Sequence, residues 1–188
     1  YDSDSVEILI ALNEGHRIIG THDFVKDSPQ TKDIPRLGDA FNIDVERLIE
    51  LNPDLVYMFY PKDIERLREL GLKVLYFDSL GGDLDRILWH IRLWGKITGN
   101  IDGAGHVATT FKDRIEQVKK NVPSGRKRLL VYHHGIEFWS PGGDTLIGDI
   151  YNMLGADLIT ESMQGYKQIS PEEIVRANPD VIVTPASI

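Results

Sequence analysis

The feature that most constrains this chain is a cassette it carries twice. Residues 46–58 read ERLIELNPDLVYM and residues 172–184 read EEIVRANPDVIVT. In each copy, apolar residues at helical spacing run into Asn-Pro-Asp and then into an unbroken apolar stretch. The residue before a proline is pushed out of the helical region, so each helix must stop there. The apolar run beyond it has the character of a strand buried on both faces of a parallel sheet. Asp44 and Ser170 stand at the same N-cap position, and Ser170 with Glu173 fits a capping box. Upstream of each copy lies an irregular loop with one aromatic, Phe41 in the first and Tyr166 in the second. Further upstream each has a helix ending at glycine and a short strand. Two copies in one order imply two similar lobes, and a crevice between lobes is a default ligand site.

The other patterns fit this plan. Val6, Ile8, Leu9 and Leu12 mark a first helix that Ser3, Asp4 and Ser5 can cap, and Arg17 to Gly20 reads as a short strand. Residues 23–42 hold Pro29, Pro35 and Gly38 without periodicity and read as a long loop. Strands are expected at Leu55 to Tyr60 and Val74 to Phe77, with a helix through Ile64, Leu67 and Leu70 between them. Two helical faces come next, first Leu84 to Trp94, then Ala104 to Val118. Alternation resumes with strand Leu129 to Tyr132, helix Leu146 to Leu154, strand Asp157 to Ile159, a helix from Pro171 and strand Val181 to Val183. The expected fold class is therefore α/β, with two Rossmann-like lobes of parallel strands joined by a long backbone helix. Residues 1–79 form the N-terminal lobe, 80–122 the connecting helical segment, and 123–188 the C-terminal lobe.

Composition serves to exclude. A formal charge of −8 and a pI near 5.2 argue against nucleic acid or an anionic membrane as partner. With no cysteine there is no disulfide framework, thiolate metal site or cysteine nucleophile. No apolar run approaches the roughly 20 residues of a spanning helix. The chain lacks Gly-x-Ser-x-Gly, His-Glu-x-x-His, a Walker loop, and Gly-x-Gly-x-x-Gly after a strand, so it is not expected to be an enzyme.

Four strings together carry a resemblance: Ile34-Pro-Arg-Leu-Gly, Ile43 to Val56, Tyr151-Asn-Met-Leu-Gly-Ala, and Ile169 to Ile182. In this order they resemble the helical-backbone binding proteins of ABC importers, which handle vitamin B12, ferric siderophores, haem and some oxyanions. The resemblance covers essentially the whole chain. It implies an extracytoplasmic component, periplasmic or lipid-anchored, that captures a metal complex between two lobes and delivers it to a permease. It further implies a monomer with no tightly bound cofactor, whose ligand is an iron- or cobalt-containing chelate. Relatives usually begin with a strand before the first helix and continue past the point where this chain ends, so the second lobe reads as truncated. In such proteins one acidic residue per lobe docks to permease arginines. Glu172 matches in the second lobe, and Asp63 or Glu65 stands in for the first.

The expected ligand-binding set comes from residue type and place. His133 and His134 close a strand at the end where open α/β sheets place ligands. Adjacent strand residues face opposite ways, so the pair would not chelate one ion. One histidine in the core and one in solvent is the structural alternative to a ligand contact, with His134 the metal candidate. Phe41, Tyr60, Trp139 and Tyr166 sit on loops or strand ends, where aromatics can wall a planar chelate or simply pack lobe edges. Ser3 and Asp4 at the first helix start, and Asp39 beside Phe41, complete the set. His16, His22, His90 and His106 read as structural or surface, and Trp89 and Trp94 as core or helix packing. The loop from Ser140 to Thr145 could hold an anion on helix amides or be a plain strand-to-helix turn. Two other functions stay open: a metal-chelatase-like tetrapyrrole enzyme using His133 or His134, and a molybdate or tungstate binding protein. Lys26, Lys32 and Arg36 are too scattered for the basic cluster that acidic siderophores want.

Overall fold

The cassette folds as its residues dictate. In this computed structural model, which describes residues 1–39, 41–77, 82–123, 125 and 127–184, the Asp44 carboxylate accepts the Arg47 amide at 3.1 Å and opens helix α2 (Val45–Glu50). The Ser170 hydroxyl accepts the Glu173 amide at 3.2 Å, while the Glu173 carboxylate returns to the Ser170 amide at 2.7 Å. That reciprocal pair opens helix α7 (Pro171–Ala177). Both helices leave through an asparagine in the left-handed region, Asn52 at φ 46° and Asn178 at φ 49°. Asparagine tolerates that conformation, and the following proline blocks any further turn. Strands β3 (Val56–Met58) and β9 (Val181–Val183) come next.

The remaining elements are helix α1 (Ser3–Ala11), strands β1 (Gly38–Asp39) and β2 (Asn42–Ile43), helix α3 (Ile64–Glu69) and strand β4 (Val74–Tyr76). Helices α4 (Leu84–Thr98) and α5 (Ile101–Asn121) lead to strand β5 (Leu129–His133). Strand β6 (Trp139–Pro141), helix α6 (Leu146–Met153), strand β7 (Ala156–Leu158) and strand β8 (Tyr166–Gln168) precede α7. The chain divides into two units, Tyr1–Ser79 with Trp89–Thr109 and Leu80–Leu88 with Thr110–Ile188.

In the first unit β3 and β4 are parallel, with Val56 opposite Val74 and Met58 opposite Tyr76. Leu37, Val45, Leu48, Val56, Met58, Ile64 and Leu67 form its core, and Leu67 is wholly buried. The Asn100 side chain donates to the Leu12 carbonyl at 2.9 Å and accepts the Gly103 amide at 3.0 Å, which ties the end of α1 to the start of α5. In the second unit β5 is central, parallel to β7 on one side and β9 on the other. Val131, Ala156 and Leu158 are buried there, with Tyr151 and Val183 against them.

Three expectations need correction. Arg17 to Gly20 is not a strand: Gly15–Arg17 forms a 3-10 turn, and only Thr21 bridges, to Arg36. Isoleucines 18 and 19 instead line a cavity of about 600 Å³ with Val6, Leu9, Leu48 and Trp94, whose indole N–H has no partner among the described residues. A strand needs a neighbour to take its backbone groups, and among the described residues this segment has none beyond that bridge. The 23–42 loop is not wholly irregular, since β1 and β2 pair as a tight hairpin. Gly38 must be glycine there: its φ is 99°, and a Cβ would sit 2.3 Å from the Asn42 carbonyl oxygen. Finally, the irregular loop expected at Tyr166 is a strand there, and both Tyr166 and Trp139 stand at strand ends. β6 and β8 pair antiparallel, with Trp139 opposite Gln168 and Pro141 opposite Tyr166.

Candidate functional sites at two strand ends

In the first unit the candidate residues gather past the carboxyl end of β3. Phe59 is buried and Tyr60 half-buried, and the exposed Phe41 at the hairpin tip meets both edge-on, at ring distances of 6.0 and 5.2 Å. The Asp39 carboxylate builds that tip. It accepts the amides of Phe41 and Asn42 at 2.7 and 2.8 Å and the Asn42 side chain at 2.9 Å. The Asn42 side chain first, then the Phe41 amide, hold the Asp39 carboxyl below the usual carboxylate range. Its oxygens are committed to the turn, so Asp39 positions Phe41.

The aromatic surface continues onto residues that sequence reasoning assigned elsewhere. His22 is 3% exposed and packs against Tyr1, Phe24 and Phe59 at ring distances of 5.4, 6.1 and 6.3 Å. Its Nε2 lies 3.3 Å from the Ser3 hydroxyl in the first turn of α1, and its Nδ1 accepts the Phe24 amide at 3.2 Å. Burial pushes the imidazole down to about 4, with Arg36 acting the same way, so the ring is neutral. Asp2, rather than Ser3 or Asp4, caps α1, taking the Ser5 amide and hydroxyl at 2.9 and 2.6 Å. Asp4 is exposed one residue beyond Ser3. The Tyr1 hydroxyl donates to the Leu37 carbonyl at 3.0 Å, and burial, then Asp39, Asp23, Asp63 and Asp44, raise its phenol. The cluster is therefore aromatic and largely apolar, with aspartates around the Tyr1 phenol, Arg36 beside His22 and Lys62 bonded to the Asn42 side chain at 2.7 Å.

The second unit builds its site past the carboxyl end of β5. His133 and His134 are both half-buried, which matches neither the core nor the solvent half of the structural alternative. Each has Nδ1 at a tyrosine hydroxyl, His133 at Tyr151 (3.0 Å) and His134 at Tyr132 (2.7 Å). Burial, then His134, lowers the His133 imidazole, and burial raises the Tyr132 and Tyr151 phenols. Phe138 meets His134 edge-on at 5.2 Å. Glu137 and Phe138 both adopt positive φ, at 52° and 63°, a costly conformation for such residues. Three hydrogen bonds pin it: Gly135 amide to Trp139 carbonyl at 2.7 Å, Ile169 amide to Phe138 carbonyl at 3.2 Å, and Gln168 side chain to Glu137 carbonyl at 3.2 Å. This turn leaves Phe138, Trp139 and Tyr166 exposed by 42, 44 and 40%.

The loop from Ser140 to Thr145 is the plain strand-to-helix turn of its two readings. The Gly142 amide goes to the Gly165 carbonyl at 2.7 Å, Gly143 to Glu161 at 3.2 Å, and the Thr145 hydroxyl takes the Gly148 amide at 3.1 Å. A Cβ on Gly142 would collide with the Met163 carbonyl oxygen, which shows how tightly the turn between β7 and β8 closes over it. Of the acidic docking candidates, Glu65 on α3 pairs with Arg68 at 3.0 Å, Asp63 at the start of α3 makes no cap bond, and Glu172 is exposed in the first turn of α7. Among the described residues, no three His, Asp or Glu side chains gather as a metal site, and no helix is long and apolar enough to cross a membrane.

The structure adds Tyr1, His22, Phe24, Phe59 and Phe138 to the candidate residues, none of which the sequence reading selected. The usable signal was the cluster of ring side chains in His22-Asp-Phe24 and Phe59-Tyr60.

The fold is shared with known proteins. A cobalamin-binding protein of Halobacterium salinarum is 32% identical over 159 residues, which is 80% of this chain and 42% of that protein. The periplasmic haem-binding protein of Roseiflexus sp. RS-1 superposes with TM-score 0.86 at 21% identity, over 97% of this chain and 73% of that one. The periplasmic vitamin B12 binding protein of Vibrio cholerae superposes with TM-score 0.83 at 20% identity, over 98% and 74%. The chain thus spans less than half the length of the Halobacterium relative, and at these identities the two structures report the fold. A family model described as periplasmic binding protein matches residues 1–187, and the chain belongs to that family.

Proposed function

We propose that this chain forms the ligand-capturing part of an extracytoplasmic solute-binding protein of an ABC importer, with a corrinoid as its cargo. The observation that carries the reading is the aromatic cluster past the end of β3, in which the buried His22 and Phe59 back the half-buried Tyr1 and Tyr60 and the exposed Phe24 and Phe41. The buried rings hold the exposed ones in place, and exposed aromatics contribute the most contact area per residue to an apolar macrocycle.

Charge separates the candidate cargoes. Haem propionates, catecholate siderophores and oxyanions all bring negative charge. Here Asp2 already takes the Ser5 amide in the first turn of α1, and four aspartates act on the Tyr1 phenol. Of the nearby cations, Arg36 is spent on the His22 carbonyl at 3.2 Å and Asp27 at 2.6 Å, Arg47 on the Arg36 carbonyl at 2.8 Å, and Lys62 on the Asn42 side chain at 2.7 Å. A corrin ring rimmed by neutral amides meets no such penalty. The names of relatives that bind cobalamin agree with this choice. Within the second unit, His134, held at Nδ1 by Tyr132, is the side chain we assign to contact with a metal complex. Asp63 and Glu172 are the carboxylates we assign to permease docking, because Glu65 is engaged with Arg68.

A thermal-shift series on the full-length protein tests the assignment. A ligand at 100 times its Kd stabilises the folded state by about 2.7 kcal/mol, or roughly 5–10 °C at this size. Cyanocobalamin is expected to produce that shift, with haem, a ferric catecholate and molybdate producing less. A larger shift with any of these three overturns the corrinoid reading.

A further inference from the structure

The hydrogen bond between His22 and Ser3 has a direction, and the backbone sets it. The Phe24 amide lies 3.2 Å from His22 Nδ1, and a backbone N–H can only donate. Nδ1 is therefore the acceptor, and a neutral ring with Nδ1 as acceptor carries its proton on Nε2. Burial keeps the ring neutral, since the charged form is disfavoured down to about 4. Nε2 lies 3.3 Å from Ser3 Oγ, so histidine donates and serine accepts. The Ser3 hydroxyl hydrogen is then left over, with no acceptor among the described residues. The same geometry rules out Ser3 as an activated nucleophile, because an Nε2 that holds a proton cannot take one.

We infer that His22 is a positioning residue that makes Ser3 a one-way hydrogen-bond donor, and that Ser3 meets an uncharged carbonyl of the ligand, an amide rather than a carboxylate. The inference rests on the reading of this surface as ligand-binding. The acceptor must be uncharged because of what surrounds it. Asp39, Asp23, Asp63 and Asp44 act against ionisation of the nearby Tyr1 phenol, while the nearby cations are already engaged, Arg36 with Asp27 at 2.6 Å and Lys62 with the Asn42 side chain at 2.7 Å, so a ligand carboxylate placed there meets the aspartates without either cation to offset them. Asp2, committed to Ser5, adds a further negative group at the start of the helix. Ser3 thus selects for an acceptor, and the aspartates select against charge.

Isothermal titration of the full-length protein tests this with two probes, cyanocobalamin and the same corrinoid with its peripheral amides hydrolysed to carboxylates. Wild type is expected to prefer the amide form at least tenfold. S3A and H22L should each weaken cyanocobalamin binding about fivefold to tenfold, the worth of one neutral hydrogen bond. The double variant should be no weaker than either single, because both remove one interaction. H22Q, whose amide can still donate to Ser3, should recover part of the loss. Losses that multiply, or equal affinity for the two probes, overturn the inference. If wild type binds neither probe, the corrinoid reading itself fails. The relay is then judged by the long-range ¹H–¹⁵N spectrum of His22, where a proton on Nδ1 sinks it and one on Nε2 sustains it.

Discussion

The two strand ends occupy the same topological place and are built by opposite means. Past β3, side chains do the work: rings pack on rings, and a buried neutral histidine is held between a backbone amide and a serine. Past β5, the backbone does it. Two residues in the left-handed region, pinned by three hydrogen bonds, carry Phe138 onto His134. The ends of parallel strands fix where a site can lie. The segment leaving each strand decides whether rigidity comes from packing or from a strained turn. The cassettes teach the same lesson at the level of burial. Their caps and left-handed asparagines match, yet β3 is buried at all three residues, while Val181 and Ile182 of β9 are exposed by 38 and 59%. Local sequence sets local geometry, and tertiary surroundings set energy.

The largest expected effect separates the two copies of the cassette. Leu48 is 5% exposed, and Val175, beside its counterpart Ile174, is 77% exposed. L48A should cost about 2–4 kcal/mol in denaturant unfolding, and V175A under about 0.5 kcal/mol. Comparable losses would mean that the second helix packs as firmly as the first.

Next comes pH. The unfolded chain protonates His22 near its ordinary 6.5, whereas the folded chain does so only at about 4. Between these values the unfolded state binds more protons, so stability falls as pH drops and levels off below the folded value. The loss is on the order of 2–3 kcal/mol. H22N should flatten that limb of the stability curve. H133N should flatten it less, because His133 is only half-buried and its shift runs in the same direction. A steeper change with H133N would reverse the assignment of which unit depends on packing.

The caps should give the smallest effects. D44A and S170A are each expected to cost about 1 kcal/mol. S170A should differ in one respect. The Ser170 amide, then its hydroxyl, hold Glu173 below the usual carboxylate range. The stability Glu173 contributes is present above that range and is lost as pH falls through its folded value. S170A should blunt this acid limb, and D44A should leave it intact, as urea unfolding at several pH values would show.

Much of the fold was legible because it rests on short-range signals. Helix periodicity, Asn-Pro-Asp breaks and apolar strands report themselves in sequence. The β6–β8 ribbon did not, since Trp139-Ser-Pro141 carries a proline and Tyr166-Lys-Gln168 has no apolar alternation. Arg17 to Gly20 misled because strand propensity cannot act without a partner. In the site, Phe41, Tyr60 and the histidine pair stood out by residue type and position. His22 did not, because its value comes from burial and from the Phe24 amide, neither of which a single sequence displays.

The central claim is that the aromatic surface at the end of β3 captures a corrinoid. Titration of cyanocobalamin into the full-length protein and its F41A variant tests it most directly. Saturable one-to-one binding is predicted for wild type, weakened about tenfold or more in F41A through lost aromatic contact and burial. Binding that F41A leaves unchanged would contradict the claim.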